Sequence, residues 1–239
     1  MLSKIASGMV LAAGLGTRMR PLTLTTPKPL ITVLGRTMAD RAIDRLVDAG
    51  VSKVVLNASY LGQQIIDHFA NRTDIGIDVS WEDTPLETGG GVQRALPYLE
   101  GEAFFVLNGD AILCDGKVAT LKRLSDHWHS EESDILLLLI RREEAVGYDG
   151  AGDFFLNDDG MPEFRESHPE APYVFSGTQI LSRHLFEVSR KGAWSLREIY
   201  EKAIKEKRAR AIVHDGLWLH VGTPEGLTVA EEILKNKGE

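Results

Sequence analysis

The sequence has few of the features that mark secreted or membrane proteins. Among its 239 residues there is one cysteine, Cys114, which excludes an internal disulfide and a cysteine-based metal site. The longest apolar run, residues 135–140, is far too short to cross a bilayer. No signal peptide is expected, because Gly8 and Gly14 interrupt the first apolar stretch after Lys4. These absences predict a cytoplasmic protein.

Positive charge is also scarce. The chain has 27 Lys and Arg against 35 Asp and Glu, which gives a formal net charge of −8. Nucleic acids and anionic membranes both bind through basic surface, so neither is an expected partner. There is no internal repeat, and in particular no six-residue periodicity of the kind that builds a β-helix. We expect a monomer or a small homo-oligomer.

What the sequence does contain is a regular alternation of short apolar runs and helical patterns. Strands are predicted at residues 9–13, 53–58, 77–81, 103–107, 134–140, 211–213 and 217–221. Helices are predicted at residues 37–49, 61–70, 91–99, 115 to about 129, 196–206 and 224–235. This rhythm predicts an α/β fold with a mainly parallel central sheet and helices on both faces. Residues 147–172 form a less regular, turn-rich region, and we expect one domain with two lobes.

Two polar segments fall where predicted strands end. A glycine loop follows Ala13, and Asn108-Gly109-Asp110 follows the strand at 103–107. In open α/β sheets, ligands bind beyond the carboxyl ends of the strands. The sequence therefore predicts a ligand site formed by these two segments.

The first segment, LAAGLGTRMRPLT, has the composition of a phosphate-binding loop. Gly14 and Gly16 allow a tight turn that brings backbone N–H groups close to phosphate oxygens, and Thr17 adds a hydroxyl. Arg18 and Lys28 supply positive charge. The loop is not a P-loop, which needs Gly-Lys before Ser or Thr. A dinucleotide-binding turn is disfavoured because Met19 stands where a third small residue is required.

At this point the sequence resembles the sugar-1-phosphate nucleotidyltransferase family. The resemblance rests on LAAGLGTRMRPLT, TPKPL at 26–30, PLETGGG at 85–91, NGD at 108–110, FSG at 175–177 and WLHVGT at 218–223. It covers nearly the whole chain, and the short length and the PLETGGG form are most similar to the N-acetylmuramate-1-phosphate uridylyltransferases. The resemblance implies a Rossmann-like fold and transfer of a nucleotidyl group to a sugar 1-phosphate with release of pyrophosphate. It also implies a mainly nucleotide-binding half at 1–115 and a mainly sugar-binding half at 116–239.

The resemblance implies roles for individual residues as well. The expected nucleotide-binding residues are Leu11, Ala12, Ala13, Gly14, Gly16, Thr17, Arg18, Lys28, Glu82, Thr88, Gly89 and Gly90. The expected sugar-binding residues are Asn108, Asp153, Ser176 and Gly177. The expected catalytic residues are Arg18, Lys28 and Asp110, where Asp110 holds Mg²⁺ and the two cations stabilise negative charge on the phosphates.

His220 departs from the family pattern. The second magnesium ligand of the family is usually an Asp or Asn, and this sequence has His220 at that position. Imidazole suits softer metals better than Mg²⁺, so weakened Mg²⁺ binding is expected and Mn²⁺ is an alternative. His220 has three other possible roles: binding the metal through water, contacting a phosphate, or a structural role.

Three alternatives stay open from the sequence. The first keeps the reaction but uses mannose, glucose or N-acetylglucosamine 1-phosphate with GTP, dTTP or UTP, because a few pocket side chains decide specificity. The second is a regulatory module that binds a nucleotide-sugar without turnover, which the His220 departure motivates. The third, an NAD-dependent oxidoreductase, is disfavoured by Met19.

Overall fold

The computed structural model describes residues 5–188 and 190–238. The predicted domain's first four residues, among them Lys4, lie outside this part, as do positions 189 and 239. The strands are β1 Ser7–Leu11, β2 Thr32–Val33, β3 Arg36–Thr37, β4 Lys53–Ala58, β5 Gly76–Trp81, β6 Ala103–Asn108, β7 Ala111–Cys114, β8 Ile135–Arg141, β9 Phe154–Leu156, β10 Pro162–Phe164, β11 Tyr173–Ser182, β12 Ala209–Val213 and β13 Leu217–His220. The α-helices are α1 Met38–Asp48, α2 Gly62–Phe69, α3 Glu87–Ala95, α4 Thr120–Asp126, α5 Arg197–Lys205 and α6 Pro224–Lys237.

Within the described residues, nine strands form one mixed sheet. Its order is β10-β9-β11-β6-β1-β4-β5, and β8 and β12 extend it from β11. The central strands β6, β1, β4 and β5 are parallel, whereas β11 is antiparallel to β6 and β8. The carboxyl ends of β1, β4, β5 and β6 therefore meet at one edge of the sheet, next to the amino end of β11.

Helices cover both faces of this sheet, because successive strand residues point to opposite sides. On one face, Val10 and Phe105 pack with α1, α2 and α4. On the other face, Met9 and Phe104 pack with α3 and α5. The prediction of a Rossmann-like α/β fold with mainly parallel central strands and helices on both faces is confirmed.

Several predicted boundaries were wrong. The first strand ends at Leu11, so Ala12 and Ala13 belong to the glycine loop. Helix α3 begins at Glu87 and therefore includes Gly89 and Gly90, which were expected to precede a helix at 91–99. Helix α4 is shorter than predicted and begins at Thr120, whose N–H donates to Asp115 in the preceding turn. Strands β2, β3, β7, β10 and β11 had not been predicted.

Strand β13 lies outside the central sheet. It pairs antiparallel with β7, and His220 lies opposite Ala111. Helix α6 packs against this two-stranded sheet through Ala230 and Leu234. The pairing places His220 beside Asp110, since Val221 N–H also donates to the Asp110 carbonyl oxygen at 3.2 Å. Among the described residues, no helix combines the length and apolarity needed to span a membrane.

Candidate active site

The glycine loop after β1 has a fixed turn at Gly16. Gly16 is left-handed, with φ of 61°, and a Cβ there would lie 2.8 Å from Thr23 Cγ2. The Thr23 hydroxyl donates to the Gly16 carbonyl oxygen at 2.8 Å and is buried. Only glycine satisfies both the dihedral angle and the close approach. Thr23, which the sequence analysis did not select, therefore holds the turn that precedes Thr17 and Arg18.

A cavity of about 240 Å³ lies at the carboxyl edge of the parallel strands. The glycine loop lines one side and the start of α3 lines the other. Of the predicted nucleotide-binding residues, the walls contain Leu11, Ala12, Ala13, Gly14, Lys28, Glu82 and Thr88. Asn108, the last residue of strand β6, and Asp110, which follows that strand, also line the cavity. The structure thus brings the two polar segments together, as the sequence predicts.

Thr17 and Arg18 lie in the exposed part of the glycine loop and not in the wall of this cavity. Arg18 has no hydrogen bond or ion pair within the described part of the chain. The positive charge of Arg18 nevertheless lowers the pKa of His220. The predicted role of Arg18 in holding phosphate stays a prediction.

Lys28 and Asp110 form an ion pair in the cavity wall. Lys28 Nζ lies 2.9 Å from Asp110 Oδ2, and the Lys28 side chain is 11% exposed. A phosphate group entering the cavity would meet an ammonium that is already positioned by a carboxylate. The pair has the charges needed to bind a phosphate through Lys28 and a cation through Asp110.

His220 is packed beside this pair. Its ring stacks on Trp218 with centroids 5.6 Å apart, and a Cβ at Gly222 would overlap the ring. Burial lowers the pKa of His220, and the positive charges of Lys28 and Arg18 lower it further against the opposing effect of Asp110. The imidazole is therefore neutral at pH 7 and has a lone pair for a metal or a proton for a phosphate.

The donor set at this position is small. Within residues 5–188 and 190–238, no three His, Cys, Asp or Glu side chains are grouped so that they could hold a metal. One carboxylate and one imidazole remain, from Asp110 and His220. One or two carboxylates often suffice for Mg²⁺, which keeps waters and binds substrate phosphates. The residues fit a weakly held divalent cation.

A buried hydrogen-bond network joins the strand ends beneath the cavity. Asn57, which the sequence analysis missed, accepts from Ala12 N–H at 2.7 Å and donates from Nδ2 to Glu82 Oε1 at 2.7 Å. Glu82 Oε2 accepts from Leu86 N–H at 2.8 Å, and the Glu82 side chain is 1% exposed. Both carboxylate oxygens of Glu82 thus already accept hydrogen bonds, so its predicted contact with a base needs the remaining lone pairs. The sequence feature that could have identified Asn57 is the presence of a polar residue near the end of the valine-rich strand β4.

The three glycines of α3 serve close packing. A Cβ at Gly89 would overlap the Trp194 ring, and a Cβ at Gly91 would lie 2.8 Å from Asn57 Nδ2. The N–H groups of Gly89 and Gly90 both donate to the Trp194 carbonyl oxygen, at 2.9 and 3.1 Å. Neither Gly89 nor Gly90 lines the cavity, so the structure does not bring them to the predicted nucleotide site.

Of the four predicted sugar-binding residues, Asn108, Ser176 and Gly177 lie near one another and Asp153 lies apart. Gly177, with φ of 82°, lies against Asn108, and a Cβ there would come within 2.6 Å of the Asn108 side chain. Asp153 accepts from Phe175 N–H at 2.8 Å and lines a separate cavity beside α5. Ser176 is buried, accepts from Thr178 N–H, and faces a small void of about 20 Å³ near α1. Ser176 and Asp153 are not brought together.

These features are those of a nucleotidyltransferase. The Nucleotidyl transferase family model matches residues 7–237, and the chain belongs to that family. It is 36% identical over 231 residues to the N-acetylmuramate alpha-1-phosphate uridylyltransferase of Caulobacter vibrioides, covering 95% of this chain and 96% of the relative. The enzyme of the same name from Neisseria meningitidis serogroup B is 34% identical, covering 90% and 92%.

More distant relatives share the fold. Mannose-1-phosphate guanyltransferase 2 of Candida glabrata is 29% identical, covering 91% of this chain and 62% of the relative. HddC from Yersinia pseudotuberculosis, in its crystal structure complexed with GMP-PN, is 26% identical in sequence to this chain. The two structures align with a TM-score of 0.76 over 96% of this chain and 100% of the HddC chain. A putative glucose-1-phosphate thymidylyltransferase from Bacillus anthracis has a TM-score of 0.81 at 16% identity over 96% and 95% of the chains, which shows the fold alone.

Proposed function

We propose that the protein transfers the uridylyl group of UTP to N-acetylmuramate 1-phosphate, producing a nucleotide-sugar and pyrophosphate. The observation that carries the proposal is the cavity formed by the glycine loop, Lys28 and Asp110. The two uridylyltransferases that match this chain over at least 90% of its length support the choice of substrates.

The reaction needs positioning and charge neutralisation more than proton transfer. A phosphate oxygen of the sugar attacks the α-phosphorus, a new P–O bond forms, and the bond to the β-phosphate bridging oxygen breaks. Pyrophosphate leaves with the electron pair. No general base is required, because the sugar phosphate is already an anion at neutral pH. Lys28, half-buried in the cavity wall, neutralises phosphate charge, and Arg18 is assigned the same role on the leaving pyrophosphate.

Asp110 would hold Mg²⁺, with Mn²⁺ as the alternative, and His220 would be its second protein contact. A divalent cation bound there supplies Lewis-acid polarisation of the phosphate oxygens. Since imidazole is a poor partner for Mg²⁺, we expect His220→Asp to bind Mg²⁺ more tightly in a calorimetric titration. Unchanged or weaker binding by that variant would contradict the assignment of His220 as a metal contact.

The remaining sites follow from the cavity walls. Glu82 and Thr88 are assigned to the base and ribose, and Asn108, Asp153 and Gly177 to the sugar. A carboxylate at position 82 can accept from N3–H of uracil but meets a lone pair on N3 of cytosine. We further propose a cytoplasmic monomer or small homo-oligomer that takes part in recycling peptidoglycan sugars and binds neither nucleic acid nor membrane.

The test is a pyrophosphate-release assay. It crosses UTP, dTTP, GTP and CTP with N-acetylmuramate, N-acetylglucosamine, glucose and mannose 1-phosphates, first with Mg²⁺ and then with Mn²⁺. The expected result is selective release with UTP and N-acetylmuramate 1-phosphate. Selective release with another pair would replace the substrates. No release with any pair under either metal would favour a binding module that has lost turnover.

A second candidate is transfer of a guanylyl group to mannose 1-phosphate. It is favoured by the guanyltransferase relative and by the GMP-PN complex of HddC, which matches this chain over 96% of its length. Because guanine also offers an N–H donor, Glu82 alone does not separate the two bases. The same assay decides between them.

A further inference from the structure

A second cavity, of about 290 Å³, lies on the α3/α5 face of the sheet. Its walls come from the β9–β10 hairpin, from β11 and from α5. They include Asp153, Phe164, Arg165, Glu166, Phe175 and Arg197. Among these, Asp153 and the FSG motif that begins with Phe175 were pointed out by the sequence.

A hydrogen bond links the elements that line the two cavities, α3 and the start of α5. Thr88, in the wall of the first cavity, accepts from Leu196 N–H at 3.0 Å through its hydroxyl oxygen. Leu196 directly precedes Arg197, the first residue of α5. The elements that line the two cavities are therefore neighbours, and Asp153, assigned above to the sugar, lines the second cavity together with Arg197.

Two contacts orient the Arg197 side chain, and they leave part of its guanidinium without a hydrogen bond. Its Cζ lies 4.1 Å from the centroid of the Phe164 ring, and its Nε donates to Glu201 Oε1 at 2.8 Å. Within residues 5–188 and 190–238, Nη1 and Nη2 of Arg197 have no hydrogen-bond partner. Two parallel N–H donors on a ring-stacked guanidinium match the two oxygens of a carboxylate.

The other charged groups of the cavity are a second arginine, Arg165, and two carboxylates. Arg165 is fixed by the carbonyl oxygens of Gly152 and His168, at 3.0 and 2.8 Å. Asp153 and Glu166 balance the two arginines, so the cavity is formally neutral. Carboxylates accept from sugar hydroxyls, and a guanidinium is the partner for an anionic substituent.

We propose that Arg197 is a specificity-determining residue that binds a carboxylate on the sugar 1-phosphate. The inference rests on the proposed function, because N-acetylmuramate differs from N-acetylglucosamine by a lactyl ether that ends in a carboxylate. Arg197 donates to that carboxylate through Nη1 and Nη2. The neutral sugar lacks the group, so Arg197 contributes to the use of one sugar and not of the other.

The test compares Arg197→Met with the matched control Arg190→Met. Arg190 is also stacked on an aromatic ring, 4.6 Å from the Trp194 centroid, and paired with a glutamate, Glu198, but it does not line the cavity. For each protein, kcat/KM is measured with UTP and either N-acetylmuramate or N-acetylglucosamine 1-phosphate. Calorimetric binding of the two corresponding UDP-sugars gives a second readout.

Arg197→Met is expected to lower kcat/KM for N-acetylmuramate 1-phosphate by about ten- to a hundred-fold, the effect of losing a charged hydrogen bond. The value for N-acetylglucosamine 1-phosphate should stay unchanged, Arg197→Lys should restore part of the loss, and Arg190→Met should behave as wild type. An equal loss for both sugars, or an unchanged preference, would overturn the role of Arg197. A wild-type protein without preference for N-acetylmuramate would overturn the substrate assignment itself.

Discussion

On the side of the candidate site formed by β1, β4 and β5, the polar side chains hydrogen-bond to one another. Asn57 and Glu82 are buried and link the glycine loop to the segment before α3. On the side formed by β9, β10 and β11, the polar groups that line the cavity include hydrogen-bond donors that are not used within the described part of the protein. Arg197, for example, has its side chain 54% exposed and uses Nε alone in hydrogen bonding.

This difference indicates that the buried network makes one side of the site rigid, and that the exposed charged groups of the other side determine substrate selectivity. Buried polar groups that satisfy one another fix a backbone, since each would be costly to leave unpaired. Such a network holds the backbone of the glycine loop, whose N–H groups are proposed to bind the phosphates of the nucleotide. Exposed charged groups on a short hairpin and a helix start suit the variable part of the sugar, where one side chain can change the preferred substrate.

The largest effect is expected at Lys28, in the wall of the first cavity. Lys28→Ala should lower kcat by about 100- to 1000-fold, because the variant loses a positioned charge in a buried phosphate site. The free energy of unfolding should change by about 1 kcal/mol, since Asp110 is partly exposed and can be hydrated. Steady-state kinetics and urea unfolding measure the two effects.

Lys53→Ala is the control for Lys28. Lys53 also forms an ion pair, with Asp78 at 3.0 Å, but lies at the start of β4, away from the cavity. Its substitution should leave kcat unchanged. If both lysine variants retained wild-type turnover, Lys28 would be no more than a structural partner of Asp110.

The next effect tests the buried network. Asn57→Leu should destabilise the protein by about 2–4 kcal/mol, because Ala12 N–H and the Glu82 carboxylate both lose a buried partner. KM for the nucleotide should rise more than KM for the sugar phosphate. Gln63→Leu, which removes a surface hydrogen bond to Asp67, should change stability by less than about 0.5 kcal/mol. Equal unfolding free energies of the two variants would contradict a structural role for the network.

Much of this architecture was predictable, and the parts that were not have physical reasons. The central strands and helices follow from apolar periodicity, and Lys28, Asp110 and the glycine loop follow from motifs at strand ends. The role of Gly89 was not predictable, because the Trp194 ring that requires it lies more than 100 residues away. Strand β7 was missed because its partner strand, β13, is distant in the sequence: the paired residues Cys114 and Leu217 are 103 positions apart. Arg197 has no local motif, and only its tertiary contacts distinguish it.

A smaller effect distinguishes a packed glycine of α3, Gly89, from a glycine of the exposed loop, Gly14. Gly89→Ala should destabilise the protein by about 1–3 kcal/mol, since the added methyl overlaps the Trp194 ring in a packed core. Gly14→Ala is the matched control, because nothing lies within 4 Å of a Cβ there. Its unfolding free energy should stay within about 0.5 kcal/mol of wild type. Thermal unfolding of both variants checks this, and a destabilised Gly14→Ala with a wild-type Gly89→Ala would reverse the assignment.

The smallest effect concerns the anchoring of the sugar-side strands at low pH. Asp134, which precedes β8, accepts from Arg208 Nη2 at 2.5 Å and lies 3.3 Å from His184 Nε2. Burial would raise the pKa of Asp134, but hydrogen bonds and charges from Arg208 and His184 outweigh it, so the pKa falls below its usual 3.8. The carboxylate is then more acidic folded than unfolded. Its stabilisation is complete above about pH 4 and is lost as the pH falls through the folded-state pKa.

Asp134→Asn should therefore reduce the free energy of unfolding by on the order of 1 kcal/mol at pH 7. The difference from wild type should shrink as the pH falls below about 4, because the wild-type carboxylate is then protonated too. Urea unfolding between pH 7 and pH 3 measures it. Asp126→Asn, which breaks an exposed pair with Lys122, is the control and should change stability little at any pH. A loss in Asp134→Asn that is equal at every pH would assign it to packing and not to the charge of Asp134.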